Sequence, residues 1–313
     1  MLFITKDKKQ EFAAIVIMGL FFLIVYGLAI SLVQPFVASE VIEPAFENKD
    51  DPVNIIYIFS IMLVFTLFIL LISKFWKKQL IQFIILGAIG YTAFYAFFLP
   101  CFTLLLPMFS MPLHLIISLI CAIILVALLF RFPEWYVIDF CGVIVGTSAI
   151  IIFGISLNVF LIVLLLIGLA VYDAISVYKT KHMIDLADTV MDLKLPVLLV
   201  VPKVAHYSLI KETKRLKEKL EDGEERDAFF MGLGDIVMPG ILVIAVYISG
   251  PQGLSVALGT ILGTLIGFMV LMRFVLSGRP QAGLPLLCGG AIIGYLLTSF
   301  LLYGSLIGMS LPF

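Results

Sequence analysis

The sequence of 313 residues contains few charged residues: Lys, Arg, Asp and Glu together make up 13% of it. A soluble domain carries about 25% charged residues and is about half apolar, whereas this chain is 62% hydrophobic with a mean hydropathy of +1.19. It has no basic tract interleaved with aromatic residues, so nucleic acid is not an expected partner. These scarcities exclude an ordinary soluble protein and indicate a membrane protein.

Cysteine and histidine are also scarce. Cys101, Cys121, Cys141 and Cys288 form no CxxC pair and no metal-ligand spacing, so we interpret them as packing residues. The HExxH motif of zinc intramembrane proteases is missing. The three histidines lie at the edges of apolar runs or in a polar loop, which disfavours a serine protease with a buried histidine. No metal or organic cofactor is predicted.

Long apolar runs account for most of the chain. A membrane-spanning helix needs about 20 mainly apolar residues, and the sequence contains nine such runs. They cover residues 12–35, 53–73, 80–99, 113–131, 136–153, 157–178, 229–249, 253–275 and 284–304. The first run has no clear cleavage site and is interpreted as a retained span. The predicted fold class is an all-α polytopic membrane protein with nine transmembrane helices.

The distribution of basic residues orients these helices. With the N-terminus in the cytoplasm, 19 of the 20 Lys and Arg residues lie in cytoplasmic segments, and only Lys49 lies outside. The positive-inside rule therefore predicts a cytoplasmic N-terminus and an extracellular C-terminus. Residues 1–178 would hold helices one to six, residues 179–228 a cytoplasmic loop, and residues 229–313 helices seven to nine.

The 179–228 loop contains three predicted elements. Apolar residues at helical spacing predict an amphipathic surface helix over 182–195, and charge predicts a solvated helix over 211–226. Between them, a β-branched apolar segment bounded by prolines predicts a short strand that needs a partner. This segment consists of Leu195, Pro196, Val197, Leu198, Leu199, Val200, Val201 and Pro202.

Two aspartates interrupt the apolar runs. Asp173 precedes Lys179, the cytoplasmic end of the sixth run, by six residues, which places it roughly 9 Å inside at ~1.5 Å per residue. Asp235 lies roughly 12–13 Å inside the antiparallel seventh run. Charged residues at such depth are functional by default. Two close carboxylates share a proton, so one can activate water while the other protonates a carbonyl, as in aspartyl peptide hydrolysis.

The neighbours of Asp235 fit a reactive site. Gly232 and Gly234 would let a second backbone approach closely. Pro239 has no N–H, so it leaves the Asp235 carbonyl without its helical partner and should kink the seventh helix. Asp139, near the start of the fifth helix, is interpreted as an interfacial acid favoured by the helix dipole; a place in the same cavity is the alternative.

These motifs resemble a known family. Tyr172-Asp173, Gly232-Leu233-Gly234-Asp235 and a Leu-Pro pair opening the ninth run are similar to the motifs of presenilins and signal peptide peptidases, the Gly-x-Gly-Asp intramembrane aspartyl proteases. The resemblance covers the nine-helix plan and is sharpest from about residue 170 to 290. The chain looks like an archaeal presenilin homologue, which implies the cell membrane as its location.

The resemblance also implies site residues. Asp173 and Asp235 would be catalytic, with Tyr172, Gly232, Leu233 and Gly234 as motif neighbours. The family's Pro-Ala-Leu motif falls on Ala282, Gly283 and Leu284, followed by Pro285, and only Leu284 of the three is kept. These four residues and the 195–202 strand would position substrate, the strand by pairing with an extended substrate segment.

The membrane orientation and the activity each have an alternative. The segment Gly234–Gly240 is more similar to signal peptide peptidases, but the charge bias gives the presenilin orientation, which implies substrates with external N-termini. Paired intramembrane acids also relay protons or cations, so a coupled transporter or ion-leak channel is the alternative, although no internal repeat supports it. Expected partners are transmembrane substrates and membrane lipid; a homo-oligomer is neither predicted nor excluded.

Overall fold

The computed structural model describes residues 6–39, 44–46, 48–75, 78–100, 111–180, 198–203, 207–209, 228–276 and 281–310. Within these ranges the chain forms nine α-helices and a two-stranded sheet. The helices are α1 (Lys6–Ser39), α2 (Val53–Phe75), α3 (Lys78–Pro100), α4 (Met111–Arg131), α5 (Trp135–Ser156), α6 (Val159–Ile175), α7 (Leu233–Tyr247), α8 (Gly253–Leu276) and α9 (Gly283–Tyr303). The strands are β1 (Leu198–Pro202) and β2 (Ala228–Gly232), and a π-helical turn (Ser176–Thr180) extends α6.

Each helix coincides with one of the nine predicted apolar runs. Among the described residues, six helices are long and apolar enough to cross a membrane, namely α1, α4, α5, α6, α8 and α9. The apolar parts of the other three are shorter, at Val53–Val64, Gln82–Phe98 and Leu233–Tyr247. The protein is therefore a helical, multi-pass membrane protein, and the count of nine crossings stays a prediction.

Helix α7 lies at the centre of the bundle. It packs against α1, α5, α6, α8 and α9, and ten of its 15 residues are buried, as expected for a helix that is apolar on all sides. The helix includes Pro239, and the kink expected at this proline stays a prediction. The Tyr26 hydroxyl of α1 donates a 2.9 Å hydrogen bond to the neighbouring Ile236 carbonyl, which fixes α1 against this turn.

Helices α8 and α9 pack with their backbones in contact. A Cβ added to Gly263 would lie against the Gly290 carbonyl oxygen and 2.8 Å from the Gly294 Cα. Gly259 and Gly267 on the same face of α8 likewise leave no room for a side chain. The small residues of both helices thus allow the close approach typical of membrane helix pairs.

The sheet joins the loop to α7. Strands β1 and β2 are antiparallel, with Val200 opposite Phe230. The predicted strand is confirmed over Leu198–Pro202, and residues 195–197 lie outside the described ranges. Its partner is the chain's own β2, so the predicted start of the seventh helix at residue 229 is wrong: α7 begins at Leu233. The Phe-rich β2 segment is as apolar as a helix start, but aromatic residues also favour strands once a partner edge is available.

The predicted helices over 182–195 and 211–226 lie outside the described residues, and so does Cys101. Cys141 and Cys288 are buried and Cys121 is partly buried, all three as free thiols, which fits their interpretation as packing residues.

Candidate active site

Asp173 connects the end of α6 to the start of α9. It is 6% exposed, and its Oδ2 accepts a 3.1 Å hydrogen bond from the Leu284 N–H. Leu284 belongs to the first turn of α9, whose N-cap residue, Ala282, forms no side-chain cap. The first N–H groups of a helix have no partner within the helix and carry partial positive charge. Asp173 therefore caps α9 from a neighbouring helix.

Asp235 lies at the junction between β2 and α7. It occupies the first turn of α7. The N-cap residue of this helix is Gly232, whose backbone is extended (φ −60°, ψ 134°). Its carboxylate faces α9: a Cβ added to Gly283 would lie 2.9 Å from Oδ2 and 3.2 Å from Cγ. Gly283 occupies the alanine position of the Pro-Ala-Leu motif. The absence of a side chain there lets the Asp235 carboxylate approach α9 this closely.

The two carboxylates meet at one turn of α9. Asp173 is bonded to Leu284, and Asp235 lies against the adjacent Gly283. The buried Cys288 lies one turn further along α9. The structure thus brings together the two aspartates that the sequence placed at similar depth, with α9 as the element on which they converge.

The two motif glycines have different surroundings. Gly232 ends β2 opposite Leu198 of β1, so a second backbone lies beside it as predicted, and a Cβ there would meet the Asp235 carboxylate 3.6 Å away. Among the described residues nothing lies within 4 Å of a Cβ at Gly234. The described part of the chain therefore leaves space beside Asp235 at this glycine. Tyr172, next to Asp173, is 61% exposed, and Leu233 is partly buried.

The entry to α9 is held from several sides. Ala282 is 2% exposed, and the preceding Gln281 accepts a 2.7 Å hydrogen bond from the Tyr178 hydroxyl, just beyond α6. Pro285 lies in the first turn of α9, where its missing N–H has no intrahelical partner to lose. Of the four residues predicted to position substrate, Gly283 and Leu284 are the two shown in contact with the aspartates.

Asp139 has a role that the sequence did not reveal. The side chain is 4% exposed, and its Oδ1 accepts a 2.8 Å hydrogen bond from the Val200 N–H of β1. Among the described residues, Oδ2 has no hydrogen-bond partner. The interpretation of Asp139 as an interfacial acid is therefore wrong: the residue ties β1 to α5. Its partner is 61 positions away in sequence, so no local pattern indicates the contact.

A second acid on α5 holds the segment after β1. Glu134, the N-cap of α5, accepts hydrogen bonds from the Ser208 hydroxyl at 2.6 Å and the Leu209 N–H at 3.1 Å. On the other side, Lys203 forms a 3.2 Å ion pair with Glu11 of α1. The sheet that leads into Asp235 is thereby fixed to two helices of the bundle.

Comparisons with known proteins identify the family. The model of the signal-peptide peptidase and presenilin aspartyl protease family matches residues 18–304. The chain belongs to this family. No significant match is found among curated proteins.

Two solved structures of a presenilin family intramembrane aspartate protease are similar to this member. In space group C222 the protein is 34% identical with a TM-score of 0.68, over 92% of this chain and 99% of the other. In space group P2 it is 34% identical with a TM-score of 0.66, over 91% and 96%. These findings give the chain a presenilin-like fold and the activity class of an aspartyl protease, a peptide hydrolase. They give no support to the transporter or channel alternative.

Proposed function

We propose that the protein is an intramembrane endopeptidase in which Asp173 and Asp235 hydrolyse peptide bonds of transmembrane substrates. One carboxylate takes a proton from a water molecule, whose oxygen attacks the peptide carbonyl carbon. The other, protonated carboxyl group gives its proton to the carbonyl oxygen. Proton transfer to the amide nitrogen then lets the C–N bond break and leaves a new carboxyl group and a new amine. The two carboxyl groups titrate as a coupled pair, so the role of acid and the role of base are not assigned to one aspartate or the other.

The observation that carries this proposal is the convergence of both carboxylates on Gly283 and Leu284. Asp173 is held by the Leu284 N–H, so one oxygen is fixed while the rest of the group can face a reacting atom. Gly234 directly precedes Asp235 in the chain, and the described residues leave space beside it. An extended substrate backbone and a water molecule would occupy that space.

The sheet indicates which edge pairs with substrate. In an antiparallel pair, the backbone groups of alternate residues point outward, and Val200 uses its outward N–H for Asp139. Pro202, two residues on, has no N–H. The outer edge of β1 is therefore blocked at two positions. Phe230 lies opposite Val200, so its N–H and C=O also point outward, on the edge of β2.

We therefore assign the substrate-pairing edge to β2. Strand β1 (Leu198–Pro202) then contributes by holding β2 in place from the other side, rather than by bonding substrate itself. Residues 282–285 would position the scissile bond against the aspartates. A strand added to β2 would leave the sheet close to Asp235, because β2 ends at Gly232.

The topology follows from the charge bias. Nine crossings would place the N-terminus in the cytoplasm and the C-terminus outside, with the active site near the cytoplasmic face and substrate N-termini outside. The proposed location is the cell membrane, with an archaeal source. Labelling of single cysteines introduced at Lys49 and at Glu11 with a membrane-impermeant maleimide tests this arrangement. In intact cells, the first should react and the second should not.

Cleavage of a purified single-span substrate in liposomes tests the catalytic assignment. Asp173→Asn and Asp235→Asn should each abolish cleavage, since neither amide can exchange the required protons. Asp51→Asn is the matched control, because Asp51 is a partly exposed carboxylate that accepts a hydrogen bond from the Val53 N–H at the start of α2, away from the site. Full activity in either dyad variant would remove the proposal. Mapping the cut by mass spectrometry should place it at the depth of the aspartates.

A further inference from the structure

A groove runs along the outside of the bundle between α1 and α8. It has a volume of about 850 Å³ and an apolar lining that includes Phe12 and Ile15 of α1 and Leu262, Ile266 and Met269 of α8. Among the described residues of the lining, Arg273 in the last turn of α8 is the one that carries a charge. The described lining is therefore apolar, with a cation in the last turn of α8.

The cationic end lies on the active-site side of the membrane. Helix α8 runs antiparallel to α7, so its last turn returns to the face where α7 begins with Asp235 in its first turn. Helix α1 starts on the same face, because Glu11 pairs with Lys203, the residue after β1. Phe12 follows Glu11 directly, so both walls of the groove start at this face.

The dimensions match one leaflet of a bilayer. From Leu262 to Arg273 the groove follows α8 for roughly 16 Å at ~1.5 Å per residue, about half of the ~30 Å hydrocarbon core. Leu262, Ile266 and Met269 are 61%, 66% and 57% exposed, so they face lipid rather than protein. A lipid whose hydrocarbon chain lies along the groove would have its headgroup at Arg273.

The charge at the groove's end selects the headgroup. Arg273 is exposed and has no carboxylate within ion-pair distance among the described residues. A guanidinium binds phosphate through paired, charge-assisted hydrogen bonds, and basic pockets between membrane helices recognise anionic lipids.

We propose that the α1–α8 groove is a binding site for one anionic phospholipid of the active-site leaflet, with a hydrocarbon chain along α8 and its phosphate on Arg273. The lipid would bridge two helices that support the catalytic turn. Gly267, on the packed face of α8, lies against the carbonyl of Leu286 in α9. The Phe268 ring packs against Phe22 of α1 with 5.2 Å between ring centroids and an interplanar angle of 48°. The binding does not depend on the proposed proteolysis.

Lipid binding to the full-length protein in detergent tests this site without reference to activity. Native mass spectrometry and thermal unfolding would compare phosphatidylglycerol with phosphatidylcholine for the wild type, Arg273→Gln and Arg131→Gln. Arg131 is the matched control, because it is also an exposed arginine in the last turn of a membrane helix, α4. Ile266→Trp, which fills the groove, keeps the test decisive should Arg273→Gln fold poorly.

We expect one retained phosphatidylglycerol per wild-type chain and a higher unfolding temperature with this lipid than with phosphatidylcholine. Arg273→Gln should bind phosphatidylglycerol about five-fold more weakly, as expected for one basic group, whereas Arg131→Gln should match the wild type. Ile266→Trp should lose the retained lipid. Equal stabilisation by both lipids, an unchanged preference in Arg273→Gln or an equal loss in Arg131→Gln would each overturn the proposal.

Discussion

The tether between Asp139 and β1 gives the sharpest quantitative prediction. Asp139→Ala leaves the buried Val200 N–H without its 2.8 Å acceptor, and losing a hydrogen bond to a carboxylate costs about 1.5–3 kcal/mol. Part of this cost is offset, because the substitution also removes the buried Oδ2 that has no partner among the described residues. We therefore expect a net loss of stabilisation near the lower end of the range, about 1.5 kcal/mol. This lowers the equilibrium constant between tethered and released β1 about tenfold.

This loss should appear in catalysis rather than in substrate affinity. Releasing β1 loosens β2, and β2 leads directly into Asp235, so kcat for a single-span substrate should fall about tenfold while KM changes little. Asp139→Asn is the matched control, because the amide oxygen still accepts from Val200 and the NH₂ group replaces Oδ2. It should keep at least about a third of wild-type activity if the acceptor, not the charge, matters.

A second variant removes the donor instead. Val200→Pro eliminates the N–H at a position equivalent to Pro202, which the strand already accommodates two residues on. It should reduce kcat as Asp139→Ala does, and the double variant should be no worse than either single one, since both remove the same bond. An inactive Asp139→Asn enzyme would show that the charge is required, and a fully active Asp139→Ala enzyme would show that the tether does not matter.

Three further substitutions test the packing around the site. Gly283→Val places a branched side chain, larger than the alanine of the family pattern, against the Asp235 carboxylate, so cleavage should fall at least about tenfold while the unfolding temperature stays near wild type; wild-type turnover would contradict the contact. Tyr26→Phe removes the hydroxyl bonded to the Ile236 carbonyl and should lower the free energy of unfolding by about 1 kcal/mol in a denaturant titration. Gly263→Leu should separate α8 from α9 and lower folded yield sharply, whereas Gly27→Leu, at an uncrowded glycine, should not.

The helices were predictable because lipid imposes a strong rule on sequence. A membrane helix must satisfy its backbone internally and present apolar side chains over about 20 residues, and each such run corresponds to an observed helix. The one misplaced boundary, at 229–233, lies where an apolar segment forms a strand instead. Hydropathy alone does not distinguish these states, because β2 depends on β1, which lies about 30 residues earlier in the chain.

The site was predictable only in part, for a similar reason. Asp173 and Asp235 are conspicuous because charge is rare in apolar runs, and the structure places them together. The Asp139–Val200 bond and the Asp235–Gly283 contact join residues distant in sequence, and neither leaves a local pattern. Gly234 was expected to pack against a backbone, yet the described residues leave space there. The Gly-x-Gly-Asp spacing indicates that these glycines matter, but it does not indicate whether protein or substrate occupies the space beside them.

The hydrogen bond between Asp173 and Leu284 means that one catalytic acid is also a structural fastener. Replacing Asp173 with alanine would remove chemistry and uncap α9 together, at a cost of about 0.5–2 kcal/mol for the lost cap. An inactive Asp173→Ala enzyme would therefore differ from the wild type in shape as well as in reactivity. Asp235 has no such bond within the described part of the chain, so its variants are the safer choice for trapping an uncleaved substrate in an otherwise native enzyme.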